Sequence, residues 1–346
     1  MTTSSVDRFG ANDDPTGDPA RGQLLGAADI RRIAGEAGIS PSKKFGQNFV
    51  IDPGTVRRIA RLAQLDRGSL VLEVGPGLGS LTLALLETGA RVWAVEIDPP
   101  LAQRLPETVA EFMPGAADRL TVVNQDALSL KPSDLNLPQA ADGNPPSLTL
   151  VANLPYNVAT PILLTLLERF QYVDRFVVMV QKEVADRLAA QAGSKIYGTP
   201  SLKLAWYGKA ERVGLVGRHV FWPAPNVDSA LVAFSRYESL PGERPHWLDG
   251  TGDGAGQDGP GNAAGARATG PATQTQDSLR LTTFSLIDAA FSQRRKTLGA
   301  ALKKQVPSQV FSQVGIDPSR RGETLTIQEF VALAQALQAE IHQGRS

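Results

Sequence analysis

The chain contains no cysteine. Disulfides, thiolate metal sites and a cysteine nucleophile are therefore excluded. No apolar run is long enough to span a bilayer, and the first residues lack the apolar core of a signal peptide. Both absences predict a cytoplasmic protein with no membrane partner. An excess of one charge is also missing, because 35 Lys and Arg face 35 Asp and Glu. A nucleic-acid partner must then be argued from local patches. At 42% hydrophobic and 20% charged, the 346 residues make a folded, soluble chain rather than a disordered one. The length allows two domains and a large core.

What is present is organised around residues 70–80, Leu-Val-Leu-Glu-Val-Gly-Pro-Gly-Leu-Gly-Ser. The apolar run Leu70–Val74 predicts a buried parallel strand. It runs into Gly75, Gly77 and Gly79, and then Leu81, Leu83, Leu85 and Leu86 begin a helical pattern. Strand, glycine turn and helix open a nucleotide-binding α/β unit. The next β-like run, Arg91–Glu96, ends in a carboxylate able to accept both hydroxyls of a ribose. The glycine spacing lacks the two residues that a dinucleotide pattern carries before its last glycine. No Lys follows to serve a triphosphate. Glu73, just before the turn, suits a ligand with a cationic sulfonium and an amino group, S-adenosylmethionine (AdoMet). A strand, turn and helix without ligand is the plainer alternative.

Residues 120–123 predict a third strand, with Asp126 at its carboxyl edge. A carboxylate there can accept the amino hydrogens of an adenine, or can simply cap a turn. Residues 148–152 predict a fourth strand, which delivers Asn153-Leu154-Pro155-Tyr156-Asn157. This order of polar, apolar, proline and aromatic matches the catalytic loop of amino-directed nucleic-acid methyltransferases. The adenine amino nitrogen is conjugated with its ring and is a poor nucleophile. The Asn153 oxygen and the Leu154 or Pro155 carbonyl can accept its two N–H bonds, and proline fixes the turn that aims them. Tyr156 can stack on a base that has left its helix. The alternative is a proline turn with a buried tyrosine.

Elsewhere, residues 26–37 predict a helix with Ile30 and Ile33 on one side. Residues 41–50 follow no clean period. They read as a loop packing Phe45 and Phe49, or as a lid whose Asn48 offers an amide to the ligand, and composition favours the loop. Asp52 caps the next helix, with Pro53 in its first turn. Helices are expected at 161–170 and 181–188, a surface loop at 132–147 and a mobile loop at 195–198. Strands are expected at 176–180, 202–207, 209–216 and 230–236. Phe221 reads equally as core or as a second ring stacking on the target base. Residues 1–22 read as a disordered tail, and 241–277, rich in Gly, Ala, Asp and Pro, as a flexible insertion. After it, Arg294, Arg295, Lys296, Lys303 and Lys304 form a basic stretch on about three helical turns, suited to phosphates.

Together these segments resemble the ribosomal RNA adenine N6,N6-dimethyltransferases of the bacterial KsgA type. The resemblance spans about Lys44 to Ala339. It rests on Phe45-Gly46-Gln47-Asn48-Phe49, residues 73–79, Glu96-Ile97-Asp98, Gln125-Asp126-Ala127, residues 153–157, residues 221–230 and Ala290-Phe291-Ser292-Gln293-Arg294-Arg295-Lys296-Thr297-Leu298. The erythromycin-resistance methyltransferases share the catalytic part, but the last segment favours the ribosome-assembly enzymes.

The resemblance implies a class I AdoMet-dependent methyltransferase fold, α/β and Rossmann-like, with a mostly parallel seven-stranded sheet and a small α-helical C-terminal domain. The expected division is a catalytic domain at 23–240 and an RNA-binding domain at 278–346. The resemblance reverses the reading of Asn48. It implies an AdoMet pocket of Asn48, Val50, Gly75, Gly77, Glu96, Ile97, Asp126, Ala127 and Asn153. Catalysis is expected at Asn153, Leu154, Pro155, Tyr156 and Phe221, and RNA contacts at Arg294, Arg295, Lys296 and Lys303. The implied reaction is two methyl transfers to each of two adjacent adenosines near the 3′ end of 16S rRNA, with the immature small ribosomal subunit as partner. The protein is expected to act as a monomer, without a metal. A non-catalytic rRNA-binding assembly factor on the same fold, and a dinucleotide-dependent oxidoreductase, are the rivals. The second leaves the loop at 153–156 unexplained.

Overall fold

The four strands at 70–74, 91–96, 148–153 and 173–181 in the central sheet alternate their side chains between two apolar layers. Val71, Val92, Ala94, Val151 and Val177 face one cluster, and Leu72, Trp93, Val95, Leu150 and Val178 face the other. A sheet buried on both faces needs helices on both, and the chain supplies them. The computed structural model describes residues 22–42, 46–138, 146–239, 241 and 271–343. The elements begin with α1 (Ala27–Glu36), β1 (Phe49–Val50), α2 (Pro53–Leu62), β2 (Leu70–Val74), α3 (Ser80–Glu87), β3 (Arg91–Glu96), α4 (Pro99–Phe112) and β4 (Leu120–Asn124). They continue with β5 (Leu148–Asn153), α5 (Ala159–Arg169), β6 (Val173–Gln181), α6 (Lys182–Leu188), α7 (Thr199–Tyr207), β7 (Gly208–Val216), β8 (Phe221–Trp222) and β9 (Ser229–Arg236). The C-terminal part holds α8 (Pro271–Ser292), α9 (Leu298–Ala301), α10 (Ser308–Gln313) and α11 (Ile327–Gln343).

The main sheet has seven strands in the order β4-β3-β2-β5-β6-β9-β7. β9 runs antiparallel to both neighbours, and the other pairings are parallel. Chain order reverses between β2 and β5, so a crevice opens at their carboxyl ends, where such sheets bind ligands. Helices α1 to α4 cover one face through Ile30, Ile59, Leu81 and Leu105. On the other face α5, α6 and α7 share one apolar cluster with α8 and α11. Phe284 of α8 meets Trp206 edge-on at 5.9 Å and Tyr207 at 6.3 Å. Arg280, nearly buried beside Phe284, pairs with Glu168 of α5 at 2.7 Å. The helical part therefore continues the core.

Several expectations are corrected. Residues 202–207 belong to helix α7, not to a strand. The loop at 195–198 is anchored rather than loose. Tyr197 is buried, its hydroxyl donates to the Leu325 carbonyl at 3.0 Å, and its ring meets Phe291 edge-on. α8 begins at Pro271, inside the segment read as a flexible insertion. The rest of that insertion apart from Pro241, the tail at 1–21, and Lys43, Lys44 and Phe45 lie outside the described residues. Among the described residues no helix is long and apolar enough to cross a membrane.

Candidate active site

β2 ends at Val74, and the chain must reverse at once to start α3. Gly75 (φ +71°), Gly77 (φ +58°) and Gly79 (φ +99°) all take the left-handed backbone that side chains disfavour. Crowding adds to this at Gly77, where a Cβ would lie 2.9 Å from the Phe49 ring. The turn floors a cavity at the carboxyl ends of β2, β3 and β5.

Two buried carboxylates stand at its base. Glu96, the last residue of β3, accepts the Gly77 amide at 3.1 Å and the Asp98 amide at 3.0 Å. Burial raises its pKa, and the two amides work against that rise. Each oxygen keeps a lone pair for a ligand hydroxyl. Glu73 in β2 accepts the Thr82 hydroxyl at 2.7 Å. Burial pushes its carboxyl up to about 8, the Thr82 bond opposes the shift, and the nearby Glu96 charge adds to it. At neutral pH Glu73 is therefore largely protonated, and an arriving cation would favour its ionisation.

The rim is supplied by the next strands. Ile97 is 44% exposed, Ala127 is buried, and both line the cavity. Asp126 lines it too, with one oxygen capping a turn through the Leu128 amide at 2.9 Å. Asn48 and Val50 close the cavity from β1 and the residue before it. The Val50 carbonyl accepts the Ser80 hydroxyl at 2.6 Å. The Asn48 amide donates one hydrogen to the Gly46 carbonyl at 3.1 Å, which leaves its second N–H and its Oδ1 for a ligand. A ribose acceptor, an adenine-edge carboxylate, an apolar rim and a buried carboxyl ready for a cation suit the donor set of AdoMet.

β5 places Asn153 beside this floor. A Cβ on Gly75 would come 3.8 Å from the Asn153 carbonyl and 3.9 Å from the Pro155 ring. The Asn153 Nδ2 donates to the Asn48 carbonyl at 3.1 Å. Because a carbonyl only accepts, this bond fixes which end of the amide is which. Oδ1 faces away from it and meets no donor among the described residues. The Leu154 amide donates to the Met179 carbonyl at 3.0 Å, and the Pro155 carbonyl accepts the Val158 amide at 3.3 Å. The Leu154 carbonyl is thus the freer of the two. Tyr156 lines the cavity half-buried, its hydroxyl 2.7 Å from the fully buried Ser229 hydroxyl. Burial raises the Tyr156 pKa, and the Ser229 bond lowers it.

The fold does not bring every expected residue together. Phe221 is buried in the core cluster and pairs with Val50 across β1 and β8, so it does not line the cavity as a second stacking ring. Its neighbour Trp222 packs on Phe49 at 6.2 Å. The basic stretch is not one helix. α8 stops at Ser292, so Arg294, Arg295 and Lys296 lie on a turn, and Lys303 follows α9. The Arg294 guanidinium donates to the carbonyls of Tyr197 at 2.8 Å and Lys195 at 3.4 Å, a structural tie. Arg295, Lys296 and Lys303 are exposed, with no ion pair among the described residues.

Three contributors carried no assigned role in the sequence reading. Gln47 donates to Asp98 at 2.8 Å and accepts the Ser42 amide at 2.8 Å, latching the segment before β1 to the start of α4. Ser229 and Thr82 act through Tyr156 and Glu73. Gln47 and Ser229 stand within motif segments, but their partners Asp98 and Tyr156 lie 51 and 73 residues away, and the nine-residue step from Glu73 to Thr82 follows no strand or helix period.

Residues 40–249 match the family model described as ribosomal RNA adenine dimethylase. A ribosomal RNA small subunit methyltransferase A from Bifidobacterium longum (strain DJO10A) is 65% identical over 93% of this chain and 96% of its own length. The protein of that name from Leifsonia xyli is 49% identical over 90% and 98%. Among solved structures, a dimethyladenosine transferase from Plasmodium falciparum is similar with a TM-score of 0.60, at 23% identity over 85% of this chain and 98% of that one. The 23S rRNA methyltransferase ErmE gives 0.57, at 23% identity over 84% and 100%. At that identity the two structures speak for the fold alone.

Proposed function

The chain belongs to the ribosomal RNA adenine dimethylase family, and from that premise we infer what its site does. It is an AdoMet-dependent rRNA (adenine-N6,N6) dimethyltransferase. It acts on two adjacent adenosines near the 3′ end of 16S rRNA in the small ribosomal subunit. When bound, AdoMet supplies an electrophilic methyl group on a cationic sulfur that is already a good leaving group. Glu96 would hold the ribose hydroxyls, Asp126 the adenine amino group, and Ile97 and Ala127 the adenine faces. Gly75 and Gly77 would let the backbone approach AdoMet, Asn48 and Val50 close the outer wall, and Glu73, once ionised, would offset its positive charge.

In the first transfer Asn153 Oδ1 and the Leu154 carbonyl accept hydrogen bonds from the two amino hydrogens of a flipped-out adenine, with Tyr156 against its ring. In the second, the one remaining N–H bonds to either acceptor, and each transfer ends with one N–H proton released to solvent. Holding both hydrogens localises the nitrogen lone pair and aims it at the methyl carbon. Both bonds strengthen as positive charge develops on that nitrogen, so the site favours the transition state over the ground state. The remaining acceleration comes from positioning. One observation carries this reading. The Asn153 NH2 group donates to the Asn48 carbonyl, and Oδ1 is left without a donor among the described residues on a side chain that lines the same cavity as Gly75.

Arg295, Lys296 and Lys303 neutralise rRNA phosphates. We read residues 23–240 as the catalytic domain, 278–346 as the RNA-binding part, the immature small subunit as the partner in the cytoplasm, and the protein as a monomer. Incubation with labelled AdoMet and under-methylated small subunits, followed by mapping, tests the function. Label in two neighbouring adenosines near the 3′ end of 16S rRNA is the expected result. Binding without transfer would leave an assembly factor in its place.

A further inference from the structure

A second concavity opens beside the base side of the active site, between the start of α6 and the segment joining β7 to β9. It adjoins the base pocket through the backbone at 228–229. The Tyr156 hydroxyl meets Ser229, and the preceding residue, Asp228, accepts the Lys182 amide at 3.0 Å on the groove wall. The groove thus starts one residue beyond the contact that holds Tyr156. Its far wall carries Ile196, flanked by the Lys195 and Tyr197 carbonyls that accept the Arg294 guanidinium. It therefore ends at the turn that presents Arg295 and Lys296.

The groove's carboxylates are already occupied. Asp186 pairs with Lys182 at 2.7 Å and Arg212 at 3.3 Å, Glu183 pairs with Arg187, and Asp228 accepts the Arg218 amide at 3.3 Å. The Arg218 and Lys195 side chains are exposed and form no ion pair among the described residues. Val227 and Ile196 stay 46% and 47% exposed. Free cations beside bare apolar side chains suit a single strand, whose phosphates need neutralising and whose unstacked bases need a surface.

We propose that this groove seats the nucleotides adjoining the target adenosine, so that the rRNA strand runs from Tyr156 past Val227 and Ile196 to Arg295 and Lys296. The proposal rests on the rRNA methyltransferase reading. While one of the two adenosines fills the base pocket, its neighbour lies in the groove.

The test replaces Val227 by p-benzoylphenylalanine in the full-length protein and irradiates it with unmethylated small subunits. A crosslink to 16S rRNA within a few nucleotides of the methylated adenosines is the expected result. Crosslinks confined to a distant site, or none from a variant that methylates subunits, would overturn the groove assignment. A wild-type protein that leaves the subunits unmethylated would instead sink the underlying function. Arg218→Glu provides a second arm. It should raise KM for subunits about five- to tenfold and lower the salt slope by about one phosphate contact, with AdoMet affinity within about twofold. An unchanged KM and slope would contradict the proposal.

Discussion

On the cofactor side of the cavity, polar groups hold partners before any ligand arrives. Glu96 accepts two backbone amides, Glu73 a hydroxyl, and Gln47 is latched to Asp98. On the base side, Asn153 Oδ1 has no donor among the described residues, and the Tyr156 hydroxyl is tied to Ser229. The first side is preorganised around a ligand of fixed shape. The second holds open acceptors whose hydrogen bonds the substrate must supply, and an open polar group is tolerable where water reaches it. Specific binding and reactivity are thus assigned to different walls of one cavity.

That division breaks if a base-side change spoils cofactor binding. Asn153→Ala should lower kcat by about 10²- to 10³-fold, the cost of losing one transition-state hydrogen-bond partner. AdoMet affinity by calorimetry should stay within about threefold, and full activity would refute the role of Asn153. The mirror experiment is Glu96→Ala. Removing two charged hydrogen-bond acceptors should weaken AdoMet about a hundredfold, near 3 kcal/mol, as read by the same titration.

Glu73 sharpens the contrast through pH. Its folded pKa, about 8, lies above the ordinary 4.5. A carboxyl raised by folding contributes stability fully below the unfolded pKa, and that contribution is lost as pH rises through the folded value. Denaturation of the free protein should show stability falling from about pH 5 to pH 8, and Glu73→Gln should flatten that slope. Conversely, AdoMet affinity should climb about tenfold between pH 6.5 and 8.5 as the carboxyl ionises beneath the cation, and the Gln variant should lose the climb. The smallest effect belongs to the Tyr156 tether. Ser229→Ala should reduce kcat about fivefold, near one hydrogen bond. Tyr156→Phe should match it, and the double variant should be no worse than either. Additive losses would show that the two hydroxyls act separately.

The sequence made some of this plain and hid the rest. Leu70–Val74 with its glycine turn, and Asn153 at the end of β5, are local patterns, and local patterns survive folding. α7 misled because Leu202, Leu204 and Trp206 alternate, as a strand would. Buried on more than one side against α5 and α8, this helix shows no polar stripe to betray its period. Phe221 belongs to the core because β8 pairs with β1, and a pairing across about 170 residues leaves no trace in either segment. The turn at Arg294 likewise follows from its bonds to Lys195 and Tyr197, not from its own composition.

The bond from Asn153 to position 48 reaches a main-chain oxygen. Every amino acid carries that atom, so replacing Asn48 one side chain at a time leaves it in place. A mutational scan would score the position by its lesser contact, to Gly46, and pass over the greater one. Only a change that shifts the chain itself, such as deleting a residue between Gly46 and Phe49, would swing the reactive amide out of line.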